Sequence, residues 1–228
     1  MHTFALGPTW AGGTMKAFLI IVCAIMSARA EQLRITMYDE AKLNGRIMDQ
    51  ASDQLRRIFR QANIETVMVT GDPAAAEGSL IVYTDRPTPE RRQKLVCRAR
   101  RDIAVNIVAA PRGVRPSVLG MALPLSSEGL NVRIFADRVS EAAFRENRPF
   151  ANVLAHAIAH EIGHVLLRTE AHEHHGIMAG VWTTREYDHM PASRMMFFTR
   201  EQSARMRDTL AGTGCEEFAA GRPILLRG

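Results

Sequence analysis

His160-Glu161-Ile162-Gly163-His164 sits inside a long apolar helical stretch, and no other segment of the 228-residue chain limits its fold so tightly. From about Phe150 to Leu167 the residues are good helix formers. Ala155, Ala157, Ile158, Ala159, Ile162, Val165, Leu166 and Leu167 place apolar groups on most sides, as a helix buried in a core requires. Two imidazoles and a carboxyl inside such a helix need partners. Positions four apart on a helix are offset by about 40° and one turn of rise, so His160 and His164 can offer ring nitrogens to one metal ion. Glu161 stands beside that ion without ligating it and can hold the proton of a water molecule. That division of labour is the one metal-assisted peptide hydrolysis needs.

A catalytic zinc site takes three protein ligands and leaves a fourth position open. The third ligand must come from Glu170, His172, His174 or His175, after the helix ends and the chain turns back. Eight residues can reach up to about 26 Å, so chain length does not choose among them. Glu170 is admissible because two histidines and a glutamate also make a catalytic site. His156, one turn before His160, reads as a packed partner of the site rather than a ligand.

Composition bears on where such a chemistry would take place. The chain is 46% hydrophobic and 23% charged, which fits a single domain, assigned to residues 31–228. Residues 1–30 read as a signal peptide. Lys16 precedes the apolar run Ala17 to Met26, too short to span a bilayer, and Ala28 and Ala30 match a signal-peptidase site. Residues 1–14 do not resemble the start of a signal peptide, and Met15-Lys16 reads as the natural start. Export and cleavage after Ala30 give a secreted or periplasmic bacterial protein with no stable membrane insertion. Losing Lys16 and Arg29 lowers the formal charge from +5 to +3. Arg98, Arg100 and Arg101 form the densest basic patch, but no aromatics interleave them, so no nucleic-acid partner is expected. Cys97 and Cys215, which remain in the mature chain, could form one disulfide.

Periodicity places the other elements. Gln32 to Tyr38 alternates as a strand, Lys42 to Asn63 carries a helical apolar stripe, Ile64 to Thr70 is a second strand and Leu80 to Tyr83 a further candidate. Ile103 to Ala109 is the clearest strand. Val118 to Leu125, interrupted by Gly120 and Pro124, suits an edge strand or a cleft lining. Leu130 to Ala136 is another strand, Asp137 to Glu146 leads into the signature helix, and Thr199 to Gln202 is a capping box opening a last helix.

His160-Glu-Ile-Gly-His164, a later histidine and Gly176-Ile177-Met178 together resemble the metzincin clan of zinc proteases, in which a Met-turn lies beneath the zinc-binding histidines. The usual metzincin spacing would put glycine at Leu167 and the third histidine at Glu170, and neither is present. The segment is more similar to a variant bacterial secreted group with the pattern HExGHxLLG-x-x-x-H-x-x-x-GIM, whose helix-ending glycine is here Arg168. This resemblance implies an α+β, zincin-like fold: a mixed twisted sheet with a backing helix, the active-site helix, the Met-turn and a C-terminal helix. It implies Zn2+ on His160, His164 and His172, Met178 as the Met-turn methionine, and a secreted endopeptidase that cleaves a peptide or protein substrate with Glu161 as general base. The departures at Leu167, Arg168 and Glu170 keep a non-catalytic, zinc-stabilised scaffold as the alternative. At Arg168 a positive φ would cost roughly 1 kcal/mol more than at glycine.

Overall fold

Leu33, Ile35 and Met37 are buried while Gln32 and Arg34, which alternate with them, are exposed, so the alternation in the sequence becomes the first strand, β1 (Glu31–Asp39). The computed structural model describes residues 31–72, 101–126, 129–191 and 193–212. After β1 come α1 (Gly45–Gln61), β2 (Ile64–Thr70), β3 (Asp102–Val108), β4 (Gly120–Ser126) and β5 (Gly129–Phe135). Then follow α2 (Ala136–Arg145), α3 (Phe150–Leu167), α4 (Thr184–Asp188) and α5 (Arg200–Ala211). The fold is α+β, with one five-stranded mixed sheet in the order β2-β1-β3-β5-β4. β1 pairs in parallel with both β2 and β3, β3 pairs in parallel with β5, and β4 runs antiparallel to β5 at the edge.

The interior strands are apolar because both their faces are covered: Val105, Asn106 and Ile107 of β3 are all buried. Ala51, Leu55, Ile58 and Phe59 of α1 pack toward α3, and α3 also lies against β4 and β5. Fifteen of the eighteen residues of α3 are buried. By length and hydropathy α3 could cross a membrane, yet it is the central helix of this core.

Several boundaries differ from the periodic reading. Lys42 and Asn63, expected at the ends of the first helix, have φ of 54° and 56° and lie in turns. Asn44 caps α1 instead, its side chain accepting from the Arg46 N–H at 2.9 Å. The lead-in to α3 is a ten-residue helix of its own, ended by Asn147 at φ 51° before Pro149. α4 had no sequence assignment; the Thr183 to Glu186 capping box that starts it is the overlooked signal. The Thr199 capping box opens α5 as expected. The candidate strand Leu80 to Tyr83, Cys97, Cys215 and the signal-peptide segment lie outside the described residues.

One polar group is enclosed in the α1–α3 interface region. Gln54 donates to the Asn152 side chain, and His156, with no exposed surface, is bonded through Nδ1 to the Asn152 carbonyl at 2.7 Å. Burial lowers the His156 pKa from 6.5 to about 4. A base whose pKa falls on folding stabilises the fold fully above its unfolded value, and that stability is lost as pH falls through 6.5 toward 4. At about 1.4 kcal/mol per unit, the full effect is about 3 kcal/mol. In His156→Gln this contribution is absent. Urea titrations between about pH 7 and pH 4 should show the wild type losing about 3 kcal/mol more than the variant. Parallel stability curves would mean that His156 is already neutral in the unfolded chain or charged in the fold.

Candidate metal centre

Helical spacing brings the two signature imidazoles edge to face, with ring centroids 4.6 Å apart and the Nε2 atoms 3.0 Å apart. Each ring is fixed from behind. His160 Nδ1 is 2.7 Å from the Ile177 carbonyl, and His164 Nδ1 is 2.7 Å from the Thr169 carbonyl. A carbonyl only accepts, so both Nδ1 atoms carry the proton and both Nε2 atoms present lone pairs. Two lone pairs facing each other at 3.0 Å repel unless a cation lies between them. Two zinc–nitrogen bonds of 2.0–2.1 Å at a tetrahedral angle would hold the nitrogens about 3.3 Å apart, so the pair fits such an ion closely.

His172 completes the group. Its ring stacks on His160 at 5.3 Å and meets His164 edge-on at 4.8 Å, and one ligand nitrogen from each of the three histidines lies within 4.8 Å of the others. Burial lowers the pKa of His160 to about 4 and lowers that of His164, keeping both imidazoles neutral, the form a metal binds. The three histidines can therefore hold a metal ion, and the donor set alone does not say which one.

The return path of the chain explains how His172 arrives. α3 ends at Arg168 with φ 52° and ψ 46°, so the left-handed turn that glycine would make easily is made here by arginine. The Arg168 and Thr169 N–H groups both point back to the His164 carbonyl, and Arg205 of α5 donates to the Leu167 carbonyl at 3.1 Å. These bonds satisfy the carbonyls that every helix leaves free at its C-terminus. The other candidate ligands go elsewhere. Glu170 lines the cleft without joining the convergent group, His175 faces Glu186 at 3.6 Å, and His174 is exposed.

Beyond His172 the chain doubles back, with Glu173 N–H donating to the Met178 carbonyl at 2.8 Å. Met178 is buried against Gly163, between the two helical histidines. A Cβ at position 163 would overlap Met178 Sδ and stand 3.0 Å from Phe198, so glycine is what lets the methionine sit there. Trp182 had no assigned role in the sequence reading. Its Nε1 donates to the Ile177 carbonyl at 3.2 Å, the same carbonyl that holds His160, and its ring meets His160 edge-on at 5.8 Å. Being one of only two tryptophans, placed four residues after Met178, was the available hint.

Glu161 is 8% exposed and turned toward β4. The Ala122 N–H donates to its carboxyl, and a Cβ at Gly120 would lie 3.0 Å from Glu161 Cγ and 2.8 Å from the Arg133 carbonyl. Only glycine lets the edge strand approach the helix so closely. Burial pushes the Glu161 pKa up to about 8 against the pull of the Ala122 N–H. Glu161 and the three histidines open into one cleft of about 610 Å³. Val118, Leu119, Gly120 and Ala122 line it, as the edge-strand reading of this segment expected.

These features define a candidate mononuclear metal centre with an adjacent buried carboxyl on an α+β fold. No protein-family model matches the chain, and the search of curated proteins gives no match to it.

Proposed function

We propose that the protein is a zinc-dependent endopeptidase with a metzincin-like arrangement, acting on peptides or proteins outside the cytoplasm. The observation that carries this reading is the convergence of His160, His164 and His172 beside a buried, non-ligating Glu161. The residues present suit zinc: three neutral imidazoles, two of them with the tautomer already fixed. When bound, zinc supplies the positive charge that polarises a carbonyl and acidifies a water molecule. A dication beside Glu161 also favours its carboxylate over the neutral acid that burial alone promotes. The carboxylate then takes a proton from the attacking water and passes it to the leaving amine. Ala122 N–H keeps one carboxylate oxygen in place while the other moves the proton. β4 is the edge of the sheet and lines the cleft, so an extended peptide can lie along it as an added strand. Met178 under Gly163 takes the part of the Met-turn methionine. Export is read from the apolar run and small residues at positions 17–30.

The full chain should bind one zinc ion and hydrolyse internal bonds of a mixed peptide library. Chelation should abolish cleavage and zinc should restore it. Stoichiometric zinc binding without cleavage of any peptide would instead identify a zinc-stabilised scaffold.

A further inference from the structure

Besides the three histidines and Glu161, the cleft has an arm lined by the β4 lead-in and α2 that carries three arginines. One wall is a stripe of α2: Arg138, Glu141, Ala142 and Arg145, spaced so that all four fall on one helical face. The two arginines are seven residues apart, about 10 Å along the axis. Arg115, on the segment leading to β4, stands on the lining as well.

We propose that this arm of the cleft is a carboxylate subsite, in which Arg115, Arg138 and Arg145 select peptides with an acidic group close to the scissile bond. The proposal rests on the hydrolase reading for what happens next to that group, while the subsite itself stands on the lining. The β4 lead-in and α2 put three arginines and one carboxylate, Glu141, on the lining, with Asp137 and Glu146 beside the two α2 arginines. The exposed Arg115 guanidinium has no ion pair or side-chain hydrogen bond among the described residues.

The other two arginines are held by partly solvated ion pairs. Arg138 Nη1 reaches Glu141 at 3.2 Å, but Nε has no hydrogen-bond partner among the described residues, and the nearest Asp137 oxygen is 3.8 Å away. Its fork is therefore not saturated by a bidentate pair. Arg145, its side chain 66% exposed, bonds Glu146 at 3.1 Å and also donates to the Tyr187 hydroxyl, and Glu141, the partner of Arg138, is 60% exposed. Each pair keeps one solvated partner, and surface ion pairs contribute about 0–1 kcal/mol, so an incoming carboxylate can compete with them. An arginine fork and a carboxylate match in geometry as well as charge, whereas a basic group beside Arg115 would meet like charge.

Two sources of carboxylate are chemically equivalent here, an aspartate or glutamate side chain and a free peptide C-terminus. Fluorescent peptide pairs separate them: one series differing by glutamate against glutamine at each position around a cleaved bond, and one pair with a free against an amidated C-terminus. Dissociation constants are measured by anisotropy on zinc-loaded Glu161→Gln, and kcat/KM on the zinc-loaded wild type. The acidic member of at least one pair should bind about tenfold or more tightly, the range of one charge-assisted hydrogen bond. That ratio should shrink in about 0.5 M salt and fall toward one in the Arg115→Gln, Arg145→Gln double variant. Response of the side-chain series points to internal acidic residues, and response of the terminal pair alone points to a C-terminal carboxylate; both support the subsite. Equal binding within every pair, or a preference that survives the double variant, overturns it. Preferential binding without cleavage by the wild type overturns hydrolysis and leaves the subsite standing, and cleavage without preference does the reverse.

Discussion

Glu161→Gln, loaded with zinc, should lose peptide hydrolysis by about 10²- to 10⁴-fold, the usual contribution of a positioned general base, while still binding one zinc ion through the three histidines. The substitution keeps size and shape on the β4 side of the site, where even a Cβ at Gly120 would stand 3.0 Å from Glu161 Cγ. The amide oxygen can still accept from Ala122 N–H, so the position of β4 should hold. What disappears is the ability to accept a proton. The metal-free proteins should differ in the opposite sense. An acid whose pKa rises from 4.5 to about 8 on folding destabilises the fold progressively as pH rises through that window. At pH 7 this amounts to about 3 kcal/mol, which glutamine removes. The metal-free variant should therefore unfold at higher urea concentration than the metal-free wild type. Turnover equal to wild type in the zinc-loaded variant would show that Glu161 is not the base, whatever the stability result.

The second large effect concerns the metal itself. His172→Ala should weaken zinc binding by more than about a hundredfold, beyond the 10- to 100-fold typical of losing an outer partner of a ligand. Glu170→Ala, His174→Ala and His175→Ala should each leave the affinity within severalfold of wild type. The contrast is instructive because all four residues sit within one short, mostly exposed loop, so loss of general loop structure would affect them alike. Competition with a chromophoric chelator gives the affinities directly. A loss confined to Glu170→Ala would move the third ligand to the position that the common metzincin spacing assigns.

The helical half of the centre was legible because its geometry is local. A four-residue spacing on a helix fixes where two side chains go, and the apolar character of residues 150–167 marks that helix as buried. His172 was reachable only through a pattern, since eight residues of irregular chain carry no periodicity that says where a side chain ends. The structure brings it to the other two through Arg168, whose left-handed backbone accepts the strain that the sequence made conceivable. β4 was readable as an edge from Gly120 and Pro124, but its closeness to Glu161 is a long-range contact and left no local trace. α2 was missed as a separate helix, because the Glu146 to Pro149 break between it and α3 is only four residues long. With it went the arginine stripe of the cleft, which needs both the helical periodicity of α2 and the presence of Arg115 on the same lining.

The Ile177 and Thr169 carbonyls that orient His160 and His164 belong to the main chain, and every amino acid supplies that same group. Substitution at either position therefore cannot remove the acceptor; only a change in the path of the backbone can. The aim of the two imidazoles is thus stored in loop shape rather than in side-chain identity. Insertions or deletions between residues 168 and 178 should disturb the centre far more than point changes at Thr169 or Ile177. For a designer, grafting this centre would mean transplanting the loop as a unit of fixed length, with its outer residues free to be redrawn.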